Sequence, residues 1–176
     1  ALLAYASPQR VRRLALVCAA GLNRTAAAGI RLSEVPPVQA LHAMFAGTFA
    51  GPAPDGALVH AAAQAAHRAL AQPGALTALD PLLAQMENPA VRARYLLHRR
   101  LAHIATPTLV LFGQTDPVEP YPTWVAQWEA TGGDPRRGSA PWLVPGAQVL
   151  RLPTGHWPHL EAPDRTAAAV AAFLRA

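Results

Sequence analysis

The chain has 176 residues, 52% of them hydrophobic and 14% charged, with a formal net charge of +5. That balance fits one compact domain, or a domain with a modest insertion, and excludes wholesale disorder. Every basic residue is arginine, and the lack of any lysine excludes a Walker-type phosphate loop, a Schiff-base lysine and a Ser–Lys dyad.

In chain order, "ALLAYASPQRVRRLALVCAAGLNR" (1–24) reads as the end of a helix, a Ser-Pro turn and a strand over Leu14–Cys18. That run is continuously apolar, as in strands buried on both faces of a parallel sheet. It opens on Ala1 inside an apolar stretch, which predicts a chain that continues from an upstream segment. Residues from about 26 to 103 lack strand runs, are rich in alanine and are punctuated by "VPP", "GPAPDG", "QPG" and "NPA". They read as three or four short helices inserted between two sheet strands. A second apolar run, Thr108–Phe112, is opened by Pro107 and closed by Gly113. A helical pattern follows at 121–133, with Trp124 and Trp128 four apart, and a third strand lies in "GAQVLRLPTGH". The last helix, 162–176, has Pro163 in its first turn and an expected apolar stripe of Val170, Phe173 and Leu174.

The segment 107–153 is strand, helix, strand, a unit that normally makes a right-handed crossover between parallel strands. The C-terminal ends of parallel strands share one sheet edge, where open α/β sheets bind ligands. Asp116 follows the end of the first of these strands and His156 the end of the second. An acid beside a histidine fixes its tautomer and stabilises the imidazolium, which makes a useful general base. Gly155 lets a neighbouring loop approach His156, while Trp157, Pro158 and Pro163 stiffen the segment.

"YASPQRVRRLALVCAAG", "TPTLVLFGQTDPVEP" and "GHWPHLEAP" resemble the last part of an α/β-hydrolase. In that family the order is nucleophile, acid, histidine, with a helical cap often inserted before the acid strand. The resemblance implies an α/β fold class: the C-terminal portion of an α/β-hydrolase fold, with parallel strands, flanking helices and an α-helical cap. It divides the chain into core (1–25), cap (26–103) and core (104–176). It assigns Asp116 as the acid and His156 as the base, and implies hydrolysis of a small, partly apolar ester or similar acyl compound without a cofactor. The departure is the nucleophile. Ser7, Ser33 and Ser139 are the only serines and none stands in G-x-S-x-G. The family's elbow would fall just before Ala1, so the chain alone is expected to lack triad-dependent activity. Its expected partners are a small-molecule substrate and the missing N-terminal half of the same fold, without which the first strand leaves an aggregation-prone edge. An aspartate nucleophile would redirect the chemistry to epoxides or haloalkanes; an elbow without a nucleophile would leave a binding module.

Plainer readings stand beside these. Asp116 can be a turn residue before Pro117, and His156 an ordinary loop histidine. Glu119 is a runner-up acid, Glu161 reads as a charge at a helix N-terminus, and Cys18 reads as core. His156 and His159, three apart, suggest paired metal ligands, but Pro158 between them argues against a regular helix and no third ligand is evident; no metal is expected. A single cysteine excludes an internal disulfide and fits a reducing, cytoplasmic setting. No apolar run reaches membrane-span length and no leader pattern opens the chain, so no membrane partner is expected. The arginines are scattered in small groups rather than in one stripe, so no nucleic-acid partner is expected.

Overall fold

Among the described residues three parallel strands stand in the order β1-β2-β3: β1 (Leu14–Val17), β2 (Thr108–Gly113) and β3 (Gln148–Leu152). The computed structural model describes residues 1–19, 34–53, 55–88, 90–91, 98–118 and 144–176. The helix expected at 121–133, with Trp124 and Trp128, lies outside them, as do Glu119, Ser33 and Ser139.

Every residue of β2 is buried, as its unbroken apolar run requires of a central strand. β1 is half-buried throughout, because among the described residues it pairs only with β2; only Cys18, just past its end, is buried. The register pairs Leu14 with Thr108 and Val17 with Leu111 on one side, and Leu109 with Gln148 and Gly113 with Leu152 on the other. Both crossovers are therefore parallel, as the sequence predicted. Phe112, Val110, Leu101, Ile104 and Val144 form the core against the sheet.

Helix α1 (Leu2–Ala6) and a 3₁₀ turn (Pro8–Arg10) lead into β1. Between β1 and β2 lie α2 (Val38–Ala46), α3 (Gly56–Leu70), α4 (Ala75–Glu87) and the short α5 (His98–Leu101). Asp55 caps α3 by accepting from the Ala57 and Leu58 amides at 2.8 and 3.2 Å, which satisfies two of its free N-terminal donors. Leu41 of α2 and Val59 and Ala63 of α3 are buried. After β3 come α6 (Pro158–Glu161) and α7 (Pro163–Arg175). Pro163 opens α7 as expected. Its buried stripe is Thr166 and Phe173 with the half-buried Val170; Leu174, expected on the stripe, is 52% exposed. Phe173 sits under the Arg13 guanidinium, 5.4 Å from its ring centre, and Leu174 lies one residue (about 100°) around the helix from that contact.

Candidate active site

The pairing of β2 with β3 runs past the strands themselves. The Gln114 amide donates to the Leu152 carbonyl at 2.8 Å and the Thr115 amide to the Thr154 carbonyl at 3.2 Å. The Thr115 hydroxyl donates to the same Thr154 oxygen at 3.1 Å. The loops after β2 and β3 are thus stitched together just before they deliver Asp116 and His156.

Two glycines make that approach possible. A Cβ on Gly113 would lie 2.0 Å from the Gly155 carbonyl oxygen and 2.3 Å from that of Thr154. A Cβ on Gly155 would lie 2.5 Å from the Ala50 nitrogen and 2.6 Å from the Thr48 oxygen. Three backbone layers stack there: the end of β2, the histidine loop and residues 48–50 after α2. The close approach expected at Gly155 is therefore made by the segment that follows α2.

At the top of the stack His156 Nδ1 lies 2.9 Å from Asp116 Oδ2. The Asp116 side chain is wholly buried and that of His156 is 18% exposed. The other Asp116 oxygen accepts from the Val118 amide at 2.8 Å, which fixes the carboxylate's plane. A carboxylate only accepts, so Nδ1 carries the proton and Nε2 is the basic nitrogen of the neutral ring. The indole of Trp157 meets the imidazole edge-on, with ring centres 5.1 Å apart.

Cys18 belongs to the core, as its place at the end of a buried strand predicts, and donor atoms of Cys18, Asp116 and His156 also lie within 4.8 Å of one another. The register held the signal: Val17 pairs with Leu111, so Cys18 falls beside the end of β2. Cys18 also takes a positive φ of 40°, uncommon outside glycine. Burial pushes its thiol up to about 12; the Gly113 amide pulls the other way, while the Asp116 carboxylate and then Glu161 push it up further. A thiol so protonated is no nucleophile. For a cation to occupy the cluster, that proton and the Asp116–His156 hydrogen bond would both have to be given up.

Glu161 is an acid in the first turn of α6, as expected, and it reaches further than that turn. Its carboxylate accepts from the Gly155 amide (2.9 and 3.0 Å), the Trp157 amide (3.3 Å) and the Ala50 amide (3.0 Å). Besides serving the start of its own helix, it joins the histidine loop to the segment after α2. His159 also meets Trp157 edge-on, with ring centres 5.8 Å apart, and with Leu160, Trp157, Phe45, Phe49 and Leu58 it lines an almost wholly apolar cavity of about 200 Å³. Among the described residues no helix is long and apolar enough to cross a membrane.

No protein-family profile and no curated protein matches the chain. Solved structures do. A meta-cleavage product hydrolase from Pseudomonas fluorescens IP01 superposes with a TM-score of 0.68 at 22% identity, over 99% of this chain and 59% of its own. The 2-hydroxy-6-oxo-6-phenylhexa-2,4-dienoate hydrolase of Rhodococcus sp. strain RHA1 gives 0.72 at 17% identity, with the same coverage. A serine hydrolase from the polyaromatic-hydrocarbon-degrading bacterium Cycloclasticus zankles gives 0.69 at 15%, again over 99% and 59%. The fold is that of the α/β-hydrolases, present in part: the chain spans about 59% of the length of these structures.

Proposed function

We propose that these residues supply the acid and the base of a hydrolase acting on a small, partly apolar ester or similar acyl compound. The observation that carries the reading is the 2.9 Å contact between His156 Nδ1 and the buried Asp116 carboxylate. In this reading His156 Nε2 takes the proton of a hydroxyl nucleophile as it attacks the acyl carbon. The same imidazolium then protonates the leaving group, and the neutral ring afterwards activates water against the acyl-enzyme. Asp116 holds the tautomer and stabilises the imidazolium through each cycle. The nucleophile comes from a segment outside these residues, and α2–α5 act as a cap over the sheet edge. The apolar cavity beside Trp157 favours a substrate with a hydrocarbon portion. Hydrolases among the structural neighbours support the reaction class.

The test is turnover of p-nitrophenyl esters of graded chain length by the whole gene product. His156→Ala and Asp116→Asn are each expected to lower kcat by roughly 10⁴-fold with the fold intact. Ester turnover untouched by His156→Ala would sink the reading.

A further inference from the structure

The histidine loop is tied to the helices between β1 and β2 at one small junction. The His156 amide donates to the Thr48 carbonyl at 2.9 Å, and the Trp157 indole N–H to the Thr48 hydroxyl. That hydroxyl in turn donates to the Phe45 carbonyl at 2.6 Å, in the last turn of α2. One side chain serves both partners of the junction. Oε2 of Glu161 accepts from Ala50 on the α2 side and from Gly155 on the histidine side; Oε1 accepts from Gly155 and Trp157. Gly155 and Trp157 flank His156 on either side in the chain, so the catalytic residue hangs between two amides held by one carboxylate. A carboxylate has acceptor sites for all three N–H groups and no donor to repel them.

We propose that Glu161 is a positioning residue that couples the placement of the α2–α3 helices to the alignment of His156 on Asp116. This inference rests on His156 being the base proposed above. Because Gly155 packs so closely on residues 48–50 that a Cβ there would overlap them, a shift of α2 moves the His156 backbone unless the junction opens. Glu161 keeps it shut. A glutamine there keeps size and one acceptor but turns an N–H₂ toward an amide N–H, so the junction loses contacts on one side.

The test uses the whole gene product, with Glu161→Gln beside the natural protein. Two readouts need no substrate. Amide exchange at Ala50, Gly155 and Trp157 is expected to quicken by about ten- to a hundredfold, the loss of charge-assisted hydrogen bonds. The low-field proton resonance of His156 Nδ1–H is expected to broaden or vanish. With substrate, kcat is expected to fall about tenfold and KM to change little, since alignment and not binding is lost. Should the variant not fold, exchange in the natural protein decides: Ala50 and Gly155 are expected to open together, with matching protection. Unchanged exchange and an unchanged Nδ1–H resonance, or unequal opening at Ala50 and Gly155, would overturn the coupling. Loosened amides and a lost resonance in a protein that hydrolyses nothing would leave the coupling standing and remove the hydrolase reading instead.

Discussion

The acid–histidine edge and the helices between β1 and β2 are held together by different means. At the edge, backbone meets backbone, and Gly113 and Gly155 have no room for a methyl group. In the helices, contact runs through side chains such as Leu41 and Val59, and large apolar groups such as Met44 and Leu58 remain over 40% exposed. The edge fixes a geometry to a fraction of an ångström. The helices fix an enclosure, and alanine-rich surfaces allow that enclosure to vary.

Substituting one glycine in each region gives the sharpest contrast. Gly113→Ala drives a Cβ into two carbonyl oxygens and should cost about 3 kcal/mol, whereas Gly56→Ala, with nothing within 4 Å and a helical position, should be neutral or gain up to about 1 kcal/mol. Urea unfolding of both variants checks this, and equal effects would erase the distinction. The next effect is again at the edge. Cys18 keeps its proton in the folded chain until about pH 12, while its unperturbed value is 9.0. Between those values the unfolded chain sheds a proton that the folded chain retains. Stability is intact below the lower value and falls by about 1.4 kcal/mol per pH unit above it. Cys18→Ala should lack that share of the alkaline loss, read from paired melts at about pH 8 and about pH 10. The smallest effect lies in the helices: Asp55→Ala should cost about 1 kcal/mol through the lost α3 cap, and Asp55→Asn much less. A circular-dichroism melt that cannot tell Asp55→Ala from the natural chain would show that this end of α3 is held by packing alone.

The edge was largely legible in the sequence. Apolar runs closed by glycine announce parallel strands, and parallel strands put Asp116 and His156 on one side. Gly155 announced a close approach without naming what approaches. Two contacts are not legible there, for a common reason. Glu161 binds Ala50, which is 111 positions away, and Cys18 meets Asp116 across a strand pairing; neither contact leaves a local pattern. Leu174 was misplaced because a stripe read from apolar residues alone passes over Thr166, whose hydroxyl is buried and donates to the Pro158 carbonyl at 2.8 Å.

The stacked glycines make the spacing between acid and base a backbone quantity, one peptide thick, rather than a matter of side-chain fit. The edge works as a fixed gauge. Changes in the surrounding helices that leave the α2 junction in place can reshape what is presented to His156 without resetting its distance to Asp116, so new specificity can be explored while the acid–base pair stays in calibration.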